Sequence, residues 1–276
     1  MNHLSSEWTA ATRSWNDRSR RHKPGLFNLL QSIGLDVVYH RAQGDHVYYI
    51  DQASEEVAVL DCVGGYGTLL LGHSHPELVR EAIRVLSAET PNHVQGSDRT
   101  RCEQLAGELS QSAGGDYCAV FANSGAEAVE AAIKHAMIET GGRTFLALQG
   151  GFHGKTLGAL QLTENPSLRK PFELDGLNVV HVQADDIAHL ESCFSSVEGM
   201  AGFVIEPIQG EGGVRAIGPA FARRAAELCR EHGVPLIADE CQTGMGRTGT
   251  FLGCSALGVQ PTGAWQSTRA SSQQLA

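Results

Sequence analysis

Positive charge is in short supply. The 276 residues hold 21 Lys plus Arg against 31 Asp plus Glu, a formal net charge of −10. That balance argues against a broad surface for nucleic acid or anionic membrane. Only four of the cations are lysines, at 23, 134, 155 and 170, and none lies beyond Lys170. No apolar run approaches the roughly 18–20 residues that a membrane span needs. The stretch from Met1 to Arg21 is polar and has no apolar core of a signal peptide. The seven cysteines are scattered, with at least eleven residues between neighbours, so no C-x-x-C zinc or redox pair exists. Several lie in apolar runs such as Tyr117-Cys118-Ala119-Val120-Phe121, and this usage fits a reducing, cytoplasmic compartment. G-x-G-x-x-G after a strand is missing, as is G-x-S-x-G, so a dinucleotide fold and a nucleophile elbow have no support. His73-Ser74-His75 has no third ligand nearby in sequence, and no metal site is expected.

What remains is a core-forming chain, 42% hydrophobic and rich in glycine, with 32 residues of that type. Residues 1–24 read as a partly ordered arm. Short β-like runs lie between Val37 and Leu60: Val37-Val38-Tyr39, then His46 to Ile50 after Gly44-Asp45. Pro76 to Ala88 reads as a helix, with Pro76-Glu77 at its start and Leu78, Ala82, Ile83 and Leu86 at helical spacing. A second helix is expected from about Asp98 to Ser112. Then short apolar runs alternate with helical stretches. The runs are Tyr117–Ala122, Thr144–Leu148, Asn178–Val182, Gly202–Ile205 and Pro235–Ala238. The helices are Ala126–Glu139, Asp186–Ser196 and Pro219–His232. Continuous apolar runs are the strands of a parallel sheet covered on both faces, so an α/β fold follows. Ligands in such sheets bind at the carboxyl ends of the strands. From Thr262 to Ala276, nine of fifteen residues are Ser, Thr, Gln or Gly, and no strand or helix period is visible.

Four strand ends carry candidate chemistry. Asn123-Ser124-Gly125-Ala126-Glu127-Ala128 opens an Ala-rich helix. It reads either as a plain cap or as a cradle where small residues and helix N–H groups meet a phosphate. Gly150-Gly151-Phe152-His153-Gly154-Lys155 offers either a core plug or a flat face for a planar ring. Glu206-Pro207-Ile208-Gln209-Gly210-Glu211-Gly212-Gly213 places Glu206 where burial calls for a partner. Asp239 emerges directly from Leu236-Ile237-Ala238, where a carboxylate needs a cation. That cation is a pyridinium nitrogen, or else the acid is structural, capping a helix or pairing with Arg247. A phosphate cradle, a stacking aromatic and an acid for a ring nitrogen together suit pyridoxal 5′-phosphate.

Taken in order, these pieces resemble the class III (ω-type) aminotransferases of pyridoxal-phosphate fold type I. The resemblance also rests on Leu71-Gly72-His73-Ser74-His75-Pro76 and on the run from Asp239 through Gln242 to Gly249, and it spans roughly Val37 to Pro261. It implies that Ser124, Gly125 and Ala126 hold the phosphate, and that Phe152, with His153 beside it, stacks on the ring. It implies too that Asp239 pairs with the ring nitrogen, Cys241 packs beneath the ring where Val is usual, and Gln242 lies near the ring hydroxyl. Glu206, Lys155 and Tyr66 would face the substrate. Gly64-Gly65-Tyr66-Gly67, the Lys155 loop and Arg169-Lys170-Pro171-Phe172 look most like putrescine or ornithine-type members. The implied activity moves an amino group from a primary amine or ω-amino acid to a 2-oxo acid, in a homodimer.

The same resemblance divides the chain into an arm (1–36), a short β segment of the small domain (37–75), an incomplete large domain (76–261) and a tail outside the family pattern (262–276). The family's Schiff-base lysine should follow the Asp239 motif by a few dozen residues, but the match stops at Pro261. The chain is therefore expected to be C-terminally truncated, to lack a catalytic residue, and to be inactive as written. A non-catalytic coenzyme-binding or partner subunit, and a racemase or mutase of the same superfamily, are the alternative readings.

Overall fold

A computed structural model describes residues 24–89 and 99–265. The arm up to Lys23 and residues 266–276 of the expected tail lie outside the described residues. The chain divides into two units, Met1–Thr90 and Pro91–Ala276.

In the first unit, helix α1 (Pro24–Ser32) precedes an antiparallel meander of β1 (Tyr39–Gln43), β2 (His46–Ile50) and β3 (Glu56–Leu60). Gln43 pairs with His46, so Gly44-Asp45 is a two-residue turn, and Gly44 supplies its left-handed backbone at φ +60°. The β-like run expected at Val37-Val38-Tyr39 begins only at Tyr39, because β1 is set by its pairing with β2. Helix α2 (Pro76–Ser87) forms as its spacing predicts, with Pro76 in the first turn, yet Ala82 is its one buried residue. It groups with the meander in the first unit.

In the second unit, α3 (Thr100–Ala113) ends at left-handed Gly114 and α4 (Gly125–Thr140) ends at left-handed Gly141. Then come β4 (Thr144–Leu148), α5 (Leu157–Leu162), β5 (Asn178–Val182), α6 (Ile187–Ser196) and β6 (Met200–Ile205). A small ribbon, β7 (Ile208–Gln209) with β8 (Arg215–Ala216), leads to α7 (Pro219–His232) and β9 (Leu236–Asp239). Helix α8 (Gly253–Ala256) and strand β10 (Gly263–Trp265) complete the described part. The large sheet has the order β10-β9-β6-β4-β5, with every pair parallel.

Alternation along the strands builds a core on each face. Leu146, Leu148, Phe203, Ile205, Leu236 and Ala238 pack with Leu190, Phe194, Phe221 and Leu228 of α6 and α7. Phe145, Ala147, Val204 and Ile237 pack with Val129, Ala132 and Ile133 of α4 and with Ala159 and Leu162 of α5. Both faces are covered, so the strands read as unbroken apolar runs.

Two expectations are corrected. Tyr117–Ala122 is not a strand: no described strand pairs with it, and Val120 and Phe121 are exposed. Its start is held instead by Tyr117 N–H donating to Ser110 Oγ and Tyr117 OH donating to the Pro261 carbonyl. An apolar run without a neighbour to pair with has no ladder to join. Conversely, Gly263–Trp265, inside the stretch expected to lack structure, adds a parallel edge strand to β9.

Candidate functional site

The chain runs from β4 outward to β5 and then returns past β4 to β6, so strand order reverses between β4 and β6. A crevice at the carboxyl ends is expected at such a reversal. The segments leaving β4, β6 and β9 there carry the 150–155, 206–213 and 239–244 motifs. In β6 the pleat continues one residue past Ile205, and in β9 Asp239 is the last paired residue. Glu206 follows Val204, and Asp239 follows Ile237, on the face covered by α4 and α5.

Three glycine contacts close these segments on one another. A Cβ at Gly154, whose φ is +129°, would lie 2.7 Å from Ala126 Cβ, so the 150–155 loop rests against the first turn of α4. A Cβ at Gly212 would lie 2.7 Å from the Gly150 carbonyl oxygen, and Gln209 Nε2 donates to the Gln149 carbonyl at 2.8 Å. Gln242 lies so close to Gly210 that a Cβ there would overlap its amide. The phosphate-cradle, aromatic, Glu206 and Asp239 motifs are thereby gathered at one end of one sheet.

Ser124 is the N-cap of α4: its hydroxyl accepts from Glu127 N–H at 3.2 Å, while Glu127 Oε2 accepts from Asn123 N–H at 2.8 Å. The plain cap is thus real. It still leaves the first-turn N–H groups of Gly125 and Ala126 without intrahelical acceptors, which suits an anion. Phe152 is half-buried and its N–H donates to Glu206 Oε2 at 3.0 Å. The exposed Lys155 carries its Nζ 5.9 Å from the centroid of the Phe152 ring. Tyr66 lies in the first unit, exposed on the turn Gly64–Gly67 with its backbone left-handed at φ +58°.

Asp239 finds its partner within the chain. Its Oδ2 pairs with His153 Nδ1 at 2.8 Å, and its Oδ1 accepts from Cys241 N–H at 3.1 Å. Sequence reasoning offered Arg247 or a ring nitrogen; it could not see a histidine 86 positions away. The His153 side chain is fully buried and its Nε2 has no hydrogen-bond partner. Burial works against the imidazolium, but the hydrogen bond and charge of Asp239, helped by Glu206, outweigh it and raise the His153 pKa. Burial pushes Glu206 up to about 7; repulsion from Asp239 adds to this, against the pull of His153 and of the Phe152 and Gly210 N–H groups.

One buried acid escaped the sequence reading. Glu240 accepts from Gly253 N–H at 2.9 Å, from Cys254 N–H at 2.8 Å and from Thr243 Oγ1. It ties the residue after Asp239 to the start of α8. Its signal is the same one that marked Asp239, an acid directly after a buried strand.

Among the described residues no group of three or more His, Cys, Asp or Glu could hold a metal, and no helix is long and apolar enough to cross a membrane. The family described as Aminotransferase class-III matches residues 31–262. The chain is 39% identical over 252 residues to a putrescine aminotransferase of Pectobacterium atrosepticum, covering 86% of this chain and 53% of that one. It is 41% identical over 203 residues to an acetylornithine aminotransferase of Methanosarcina mazei, covering 73% and 50%. Among solved structures, an amine transaminase from an uncultivated Pseudomonas species, in a PLP-bound form, superposes with a TM-score of 0.68 at 28% identity, covering 82% of this chain and 56% of that one. The chain spans about half the length of these curated relatives.

Proposed function

Because the chain belongs to the class-III aminotransferase family, we propose that its residues form the coenzyme-binding part of a pyridoxal 5′-phosphate site. The activity it serves moves an amino group from a primary amine or ω-amino acid to a 2-oxo acid. The observation that carries this reading is the buried Asp239–His153 pair, ending a strand beside the Phe152 loop and the α4 cap.

The residues fit the group. A carboxylate with a buried imidazole behind it suits a ring cation in front. The N-terminus of α4 suits a phosphate. The half-buried Phe152 offers the apolar face a pyridine ring needs. When bound, the coenzyme supplies a protonated ring that stabilises carbanionic character at the carbon next to the substrate nitrogen.

The chain's own residues then divide the work. Ser124, Gly125 and Ala126 bind the phosphate and fix the ring's depth. Phe152 and Cys241, both half-buried, would pack against the ring. Asp239 keeps the proton on the ring nitrogen, and Gln242 hydrogen-bonds the ring hydroxyl. Lys155, exposed beside Phe152, attracts the carboxylate of the 2-oxo acid. These residues supply binding and orientation. No disulfide joins any of the seven cysteines, which suits the cytoplasmic setting expected from their scatter.

The test is titration of pyridoxal 5′-phosphate into the purified chain, followed by absorbance and by quenching of protein fluorescence. Wild type should bind. Asp239→Asn should weaken binding at least about tenfold, the order of one lost charge-assisted hydrogen bond. Equal affinity in wild type and Asp239→Asn sinks the reading.

A further inference from the structure

One imidazole stands between two carboxylates in the interior of this site. His153 is fully buried, with Nδ1 on Asp239 and Nε2 without a partner. A Cβ at Gly151 would lie 3.1 Å from that Nε2 and 3.4 Å from Glu206 Oε2, so the orphaned nitrogen and the second carboxylate border the same small space. Glycine at 151 leaves that space open. Both carboxylates are buried, at 7% and 6% exposure for Glu206 and Asp239. Burial of two like charges around one cation favours a neutral total.

We propose that Glu206, His153 and Asp239 hold protons as one unit, so that a protonated ring nitrogen arriving at Asp239 expels one proton from Glu206. This rests on the reading that the coenzyme ring lies against Asp239. Without a ring cation, an ionised Asp239, a charged His153 and a neutral Glu206 sum to zero. With a ring cation in place, an ionised Glu206 restores zero. The proton leaves the Glu206 carboxyl for solvent, and the ring keeps its own. The value of about 7 for Glu206 places the exchange near neutral pH. His153 is then a positioning residue, joining the acid that meets the ring to the acid that braces the Phe152 backbone.

Other titratable groups bear on the trio from β5 and its surroundings. His181 is pushed down by burial and feels the charges of Arg169, Glu164 and His153. Lys155, on the His153 loop itself, is exposed. Neither is hydrogen-bonded to the trio, so the test isolates Glu206.

The first arm uses the ligand-free full chain. Side-chain nitrogen NMR follows His153, and carboxyl carbon NMR follows Glu206, across pH. The Glu206 carboxyl should titrate far above the surface glutamates, and Glu206→Gln should make His153 lose its proton at lower pH. If Glu206 titrates with the surface glutamates, or if His153 is unchanged in Glu206→Gln, the proposal is overturned; the first readout needs no variant. The second arm is calorimetry at about pH 6.5 in two buffers of different ionisation enthalpy. Pyridoxine 5′-phosphate should release more protons than its benzene analogue by about one per site, a difference lost in Glu206→Gln. Equal release from the two probes in wild type overturns the proposal. If neither probe binds, the coenzyme reading fails, and the ligand-free arm still decides whether the trio shares its protons.

Discussion

Replacing Glu206 by Gln should change how stability depends on pH more than how stable the protein is at acid pH. Glu206 ionises at about 7 in the folded chain against an ordinary value of 4.5. Between those values the native state binds more protons than the unfolded state, so stability falls as pH rises. The full difference, about 2.5 pH units at 1.36 kcal/mol each, is about 3 kcal/mol. His153 acts in the same direction. Its folded pKa is raised, so its contribution is complete below 6.5 and is lost as pH climbs through the folded value. The amide introduced by Glu206→Gln would keep an oxygen for Phe152 N–H while removing the ionisation, so the variant should lose less stability towards high pH. Its remaining decline, from His153, should still start near 6.5 but finish at lower pH, because the Glu206 charge that supports the imidazolium is gone. Urea unfolding, followed by circular dichroism at half-unit steps from about pH 5 to 8, measures this. Parallel curves for wild type and Glu206→Gln would refute the burial argument.

Three further substitutions test the scaffold. Gly154→Ala combines φ +129° with a 2.7 Å approach to Ala126 Cβ, so it should cost on the order of 2 kcal/mol in urea unfolding and weaken coenzyme binding. Ser124→Ala removes the cap acceptor for Glu127 N–H and should cost about 1 kcal/mol, with a loss of affinity for phosphate-bearing ligands that exceeds the loss for unphosphorylated ones. Glu240→Gln presents an amide where two backbone N–H groups and a hydroxyl all donate. It should lower the urea midpoint by the equivalent of about 1–3 kcal/mol, and an unchanged midpoint would contradict its role.

The elements legible in the sequence are those whose partners impose a local pattern. Thr144–Leu148 forms as expected because strands on both sides and two helix layers bury Phe145 to Leu148; Asn178–Val182 forms as expected at the sheet edge, where Val182 is the buried residue. Pro219–His232 forms within its expected limits because Pro219 starts it and left-handed Gly233 ends it. Tyr117–Ala122 is apolar throughout, yet strand formation depends on a neighbour that no local pattern reports. Gly263–Trp265 is the converse, three residues recruited by the edge of β9. At the candidate site, the residue types at the strand ends were legible, and the contacts among them were not. The pairing of His153 with Asp239, the Phe152 N–H on Glu206 and the closeness of Gly210 to Gln242 each join residues far apart in sequence.

Asp239 and Glu240 are neighbours with opposite destinies, and the pleat of β9 separates them. Ile237 and Asp239 look toward α4 and α5; Leu236 and Ala238 look toward α6 and α7, and Glu240 ends against α8. Removing a single residue within β9 would exchange them, turning the anchor of α8 toward α4 and α5 and sealing the partner of His153 among hydrocarbon. Phase along four residues is thus as much a determinant of the chemistry as the carboxyl groups themselves.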